Sequence, residues 1–334
     1  MRILGLSCAV PRHISNASDH YELLGKETVD RIINNIGVKT RRTVVSGCTS
    51  DLCAAAAEHL FEHINIDRNS IEAIVFITQT ADFLAPGTSG ILQARLNLSN
   101  DVLAFDINRG CPGFCDGFLI AQSLLQGLGL KRVLLLVGDT PSLRFSPNNQ
   151  GAAPLFGDAG SATILEASND SFSYIFGTDG SGAMAIHCPV GYRKGLRPNE
   201  EIRNNEQAYE MDGIKVYEFT IERVPAMIRN LLNKAKWNKD DVDAFLFHQA
   251  NRYIIQNLSR LNRIPLEKVP LSIEEFGNTS CASIPLTIVS RLREFLTKPQ
   301  KLLMLGFGTG LAWTGIAWNW DPQTIVCPLL EIDC

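Results

Sequence analysis

The run Asn108-Arg109-Gly110-Cys111-Pro112-Gly113-Phe114 sets a cysteine between an apolar strand-like stretch, Val102 to Ile107, and a helical pattern, Gly117 to Leu128. The first amides of a helix are unpaired donors, and the helix dipole is positive there. A thiol at such a turn is expected to ionise more easily than a free one, and the thiolate is the nucleophile. Cys111 could then carry an acyl group as a thioester. The local pattern fits a small buried hydrophobe equally well, as most cysteines are.

Two further polar residues fall at comparable places. In Phe247-His248-Gln249-Ala250-Asn251 the histidine ends a strand-like run, just before a helix that begins near Arg252. An imidazole at the carboxyl end of a strand, where α/β sites gather, suits proton transfer or hydrogen bonding. Gly277-Asn278-Thr279-Ser280 opens the helix near Ile284 and offers an amide that is both donor and acceptor. Taken singly, a satisfied core histidine and a helix-capping asparagine are the simpler readings.

The elements that must position these groups alternate. Strand-like runs at Ile3–Val10, Ala73–Thr78, Val102–Ile107, Val133–Val137 and Ser161–Leu165 are followed by a second set. That set is Ser173–Gly177, Ala183–His187, Ala244–Phe247, Leu302–Gly306 and Thr314–Trp318. Helical patterns fall near Asp51–Ile64, Ser89–Leu96, Gly117–Leu128, Lys215–Lys236, Arg252–Leu261 and Ile284–Thr297. Such alternation predicts an α/β architecture.

The two sets are related by a nearly constant offset. Ile66 to Phe76 lines up without a gap on Trp237 to Phe247, an offset of 171, and a shift of 170 places Asn108 on Asn278 and Cys111 on Cys281. This predicts a duplicated chain, with halves at residues 1–168 and 169–334. Two such halves packed about a pseudo-twofold bring equivalent loops to a shared interface, so Cys111 of the first half is expected to meet His248 and Asn278 of the second.

Composition bounds the function. In 334 residues, 45% are hydrophobic and 20% charged, with a net charge of −4, as in a soluble globular protein. No basic stripe interleaved with aromatics calls for nucleic acid. No apolar run reaches the ~18 residues of a membrane span, and no signal-peptide pattern precedes the first strand. Nine cysteines without a framework of spacings point to reduced thiols and a cytoplasmic protein.

Two other motifs compete for attention. His59-Leu60-Phe61-Glu62-His63 has H-x-x-E-H spacing, which on a helix puts both histidines on one face. Its helix also carries Cys53 to Ala57, a stretch suited to close packing, and the expectation is no metal. Gly306-Phe307-Gly308-Thr309-Gly310 leads into a strand-like run and not a helix, which argues against a dinucleotide loop and for a tight turn lining a reaction centre.

Taken together, the cysteine turn, FHQAN, GNTS before a helix, and GFGTG before a tryptophan resemble the thiolase superfamily, most closely β-ketoacyl-acyl carrier protein synthase III. The resemblance runs from Ile3 to about Asn319 and includes Gly37–Arg42 (GVKTRR) and Leu155–Ala162 (LFGDAGSA). It implies a five-layered αβαβα fold with two related halves, no cofactor, a homodimer, and acyl carrier protein and acyl or malonyl thioesters as partners. The implied reaction is a decarboxylating Claisen condensation, in fatty acid or related lipid or secondary-metabolite biosynthesis. Cys111 would hold the acyl group, and His248 and Asn278 would stabilise an enolate. The backbone amides of Cys111 and Thr309 would bind the thioester oxygen. Transfer of the acyl group to an oxygen or nitrogen nucleophile, or a non-catalytic subunit, are the alternatives.

The chain departs from the family in places. Arg31 and Gln150 stand where the family places the tryptophan and arginine that sandwich the coenzyme A adenine. Ala85, before Pro86, stands where a bulky residue gates the acyl pocket, which implies room for a longer or branched chain. Arg252, Arg260 and Arg263, within ~80° of one another on a continuous helix, form a candidate docking face for an acidic carrier protein.

Overall fold

A computed structural model describes residues 1–144, 154–188 and 209–334. In its strand Ala73–Ile77, Val75 and Ile77 face one core while Ile74 and Phe76 face another, and all four are fully buried. Successive strand residues point to opposite faces, so a run that is apolar at every position needs cover on both sides. The same holds in the second sheet, where Leu246 faces the first of those cores and Phe245 and Phe247 a third.

The first sheet has seven strands. Ile325–Val326, Arg2–Pro11, Ala159–Glu166, Arg132–Asp139, Ala73–Ile77 and Leu103–Ile107 follow in that order, and Leu330–Ile332 also pairs with Arg2–Pro11. The second sheet runs Ala244–Phe247, Gln300–Gly308, Ala312–Trp320 and Ser173–Thr178. Each contains a parallel pair, Ala73–Ile77 with Arg132–Asp139 and Ala244–Phe247 with Gln300–Gly308, followed by two antiparallel pairings. Equal order and equal sense are the structural counterpart of the sequence offset.

Five layers result. Helices Thr49–His63 and Thr88–Arg95 cover the outer face of the first sheet, and Gly213–Ala235 and Arg252–Leu261 that of the second. Helices Gly113–Gly127 and Ser283–Thr287 lie between the sheets, where Phe114, Phe118, Ile284 and Leu286 pack against residues of both.

Three expectations need correction. Ala183–His187 is not one strand. A 3-10 turn spans Gly180–Ala185, nucleated by Asp179, whose carboxylate accepts the Ser181 amide at 3.1 Å, and only Ile186–His187 is extended. The helix expected over Ile284–Thr297 is α-helical only at Ser283–Thr287, then widens into a π turn at Ile288–Leu292. Arg263 is not on a helix. That helix ends at Leu261, Arg263 takes φ +52°, and the Ile264 amide reaches back to the Ser259 carbonyl at 2.8 Å, a left-handed termination.

Candidate active site

Cys111 sits between the strand Leu103–Ile107 and the helix Gly113–Gly127, four residues nearer that helix start than the apolar pattern indicated. The Gly113 amide closes the turn on the Gly110 carbonyl at 2.7 Å, and an Arg109–Asp116 ion pair ties its entry to the helix. Across from it runs the glycine-rich end of Gln300–Gly308. A Cβ at Gly308, whose φ is +152°, would meet Cys111 Sγ at 2.6 Å, and one at Gly306 would meet Pro112 Cα at 2.6 Å. The glycines therefore make the space the thiol occupies.

The thiol does not ionise more easily than a free one. Burial raises it above the ordinary thiol range, while the Thr309 amide and hydroxyl and the amide of Cys111 itself pull it back in part. Desolvation penalises the thiolate by more than the donors at this turn recover. Those donors are nevertheless aimed at the sulfur, where negative charge would develop.

His248 follows the strand Ala244–Phe247, its amide on the Leu305 carbonyl at 2.8 Å. The ring is buried, and burial lowers it to about 3, so it is neutral at physiological pH. Its Nδ1 lies 2.7 Å from Ser283 Oγ. That hydroxyl accepts the Gln249 amide at 3.3 Å and can donate its own proton to Nδ1, an arrangement with the ring proton on Nε2. Gln249, fully buried, anchors the segment by accepting the amides of Ser272 and Ile273 at 2.9 and 3.2 Å.

Asn278 is fixed through its backbone: its amide meets the Leu155 carbonyl at 2.9 Å and its carbonyl accepts Gly157 N–H at 3.1 Å. Gly277 before it has φ +67°, and a Cβ there would strike the Leu155 carbonyl at 2.6 Å. Its Oδ1 accepts the Ser280 amide at 2.9 Å, so the capping role and the site role coincide. Nδ2 makes one long bond, 3.4 Å, to the Ala250 carbonyl.

One cavity is lined by Cys111, His248, Asn278 and Thr309 together, with Phe156, Met211, Val216 and Ile254 supplying apolar wall. Asp139, which the sequence reading passed over, also lines it. Its Oδ1 takes Thr78 Oγ1, the Gln79 amide and Thr80 Oγ1 at 2.8, 2.7 and 3.0 Å, and its Oδ2 takes Cys281 Sγ at 3.1 Å. An acid ending the apolar run Val133 to Gly138 was the available signal.

The remaining expected residues lie elsewhere. Ala85 is exposed on a loop beside Phe83 and Leu84 and does not line its own chain's cavity. Arg252 is half-buried on the Asn34 carbonyl at 2.7 Å, whereas Arg260 and Arg263 are exposed. Arg31 lies in the helix Lys26–Ile36, and Gln150 lies outside the described residues. His59 and His63 gather with Cys327 at a separate place. Among the described residues no helix is long and apolar enough to cross a membrane.

Comparison with known proteins agrees with this geometry. The model of "3-Oxoacyl-[acyl-carrier-protein (ACP)] synthase III" matches residues 105–186, and its C-terminal counterpart matches residues 232–320. A putative 3-oxoacyl-[acyl-carrier-protein] synthase 3 of Campylobacter jejuni is 34% identical over 95% of this chain and 93% of its own length. A β-ketoacyl-[acyl-carrier-protein] synthase III of Clostridioides difficile is 31% identical over 95% and 98%. The crystal structure of a 3-oxoacyl-(acyl-carrier protein) synthase from Burkholderia xenovorans superposes with a TM-score of 0.93 at 37% identity, covering 99% of this chain and 97% of that one. The likeness runs along almost the full length, and the chain belongs to the 3-oxoacyl-[acyl-carrier-protein] synthase III family of thiolase-fold acyltransferases.

Proposed function

We propose that Cys111 takes an acyl group from a thioester and that His248 and Asn278 stabilise the enolate left when a malonyl thioester loses carbon dioxide. The enolate carbon then attacks the Cys111 thioester, the bond to sulfur breaks, and a β-ketoacyl thioester leaves while the thiol is reprotonated. The observation that carries this reading is the shared cavity of Cys111, His248, Asn278 and Thr309. A neutral imidazole with its proton on Nε2 and an amide with a spare N–H are two donors for one oxyanion. Neither is a strong base, and decarboxylation does not need one. The amides of Cys111 and Thr309 suit the thioester oxygen.

Loading starts from a protonated thiol, so attack has to be coupled to proton loss. The departing thiol of the donor thioester takes up that proton, so the exchange of one thioester for the other balances.

Acyl carrier protein is the proposed partner. The helix Arg252–Leu261 begins at the cavity wall, since Ala250, Asn251 and Ile254 line it, and Arg252, Arg260 and Arg263 make that neighbourhood basic. We also propose a homodimer: the edge strand Leu103–Ile107 ends the first sheet, and Leu103, Phe83 and Leu84 are exposed. A residue that gates an acyl pocket while exposed on its own chain gates a partner's pocket, which is the role proposed for Ala85. Residues 1–168 and 169–334 are the proposed duplicated units. Nine cysteines without a disulfide favour a reducing, cytoplasmic setting.

The test measures carbon dioxide release from malonyl-carrier protein after loading with acyl-coenzyme A or the matched acyl-carrier protein, across chain lengths. Product release with acyl-carrier protein and chains longer than acetyl is expected. Without the adenine sandwich, at ~1–3 kcal/mol per stacked face, coenzyme A thioesters should load about 10²-fold less well. Efficient loading by micromolar acetyl-coenzyme A would refute the primer assignment, and absence of carbon dioxide release would refute the condensation.

A further inference from the structure

We propose that His59, His63 and Cys327 form a zinc-type metal site that clips the C-terminal tail to the first sheet. One ring nitrogen of each histidine and the cysteine sulfur lie within 4.8 Å of one another. Tetrahedral zinc, at ~2.0–2.1 Å from nitrogen and ~2.3 Å from sulfur, spaces its ligands about 3.5 Å apart. Closing the present triangle takes about 1 Å per side chain, a rotamer adjustment. The exposed side, at His63, leaves the fourth position to water.

The groups behind the ligands fit. His63 Nδ1 is 2.8 Å from the His59 carbonyl, which makes it the protonated nitrogen and leaves Nε2 its lone pair. His59 Nδ1 is 3.1 Å from Ser7 Oγ, a hydroxyl that can donate or accept, so either nitrogen of that ring can serve. Ser7 also bonds the Cys327 thiol. Cys327 binds as the thiolate, so the metal displaces one proton to solvent on binding.

Position separates this site from the acyl cavity. Thr49, at the other end of the same helix, bonds Thr80 of the cavity wall, and His59 lies ten residues further on, about 15 Å along the axis. The third ligand comes from the tail, where the Cys327 amide meets the Leu6 carbonyl at 2.9 Å beside Ser7. A metal here ties the helix Thr49–His63, the strand Arg2–Pro11 and the tail into one unit.

The experiment titrates the reduced full chain with zinc, and separately with cobalt as a spectroscopic probe. One zinc per chain is expected, with a rise in Tm and a sulfur-to-cobalt charge-transfer band. His63→Ala, at an exposed position that leaves folding undisturbed, should weaken binding at least tenfold and remove the Tm rise. Cys327→Ser should remove the band, and Cys111→Ala should keep it. Absence of saturable binding, binding unchanged in His63→Ala, or a band that follows Cys111 would each overturn the proposal.

Discussion

Cys111 and Cys281 occupy equivalent turns of the two halves and have different surroundings. Cys111 reaches the cavity, whereas Cys281 is fully buried and donates to Asp139. Cys111→Ala should therefore abolish the acyl-enzyme while leaving the fold intact, as read by intact mass and circular dichroism; an adduct persisting on Cys281 or Cys115 would move the nucleophile. Asn278→Ala should lose ~10²–10³ in malonyl decarboxylation yet keep loading, because its proposed role is to stabilise the enolate and not to activate the thiol. Equal loss in both assays would contradict that separation. His248 makes a stability prediction of definite sign. Its folded value is about 3, below the ordinary 6.5, so the unfolded chain binds the extra proton and stability falls as pH drops below about 6.5. Between pH 7 and 5 the loss attributable to this ring is about 2 kcal/mol. Denaturant melts of wild type and His248→Gln should show a shallower acid slope in the variant, and parallel slopes would mean the ring is hydrated.

At the scale of elements, the site is a meeting of strand ends and helix starts, and the glycine-rich end of Gln300–Gly308 is its tightest member. Gly308→Ala puts a methyl 2.6 Å from Cys111 Sγ, at a backbone angle disfavoured for L residues. We expect Cys111 alkylation by iodoacetamide to slow more than tenfold with little loss of secondary structure; an unchanged rate would show that the turn yields. Local sequence marked these elements because each ends in a turn with its own signature. It misjudged the segments Ala183–His187 and Ile284–Thr297, where an Asp-Gly turn and a π turn override an apolar pattern that looks continuous.

For the whole molecule, the tail is the part whose position most affects integrity. Ile325–Val326 and Leu330–Ile332 extend the first sheet beside Arg2–Pro11, Glu331 pairs with the buried Arg42, and the Val45 amide meets the Cys334 carbonyl. Deleting residues 325–334 uncovers a sheet edge and the core residues packed around the buried Cys327. A loss of ~2 kcal/mol or more, with aggregation on warming, is expected from thermal melts and light scattering. An unaltered Tm would mean that the tail adds nothing to the core.

The order of elements, and the three residues Cys111, His248 and Asn278 that line one cavity, were legible in the chain because each signal is local: apolar runs with a defined period, glycines where the chain must turn, and polar or thiol side chains at strand ends. Tertiary structure decided what depends on distant partners. Cys111 is harder to ionise than its helix start suggested, because burial from both halves outweighs the donors of one turn. Ala85 is exposed because its loop projects from the chain that carries it. Asp139 became part of the site only when Cys281 and Thr80 closed around it. The H-x-x-E-H pair acquired a third ligand-capable group from a tail more than 260 residues away, since chain separation sets no limit on which side chains a folded core brings within a few ångströms.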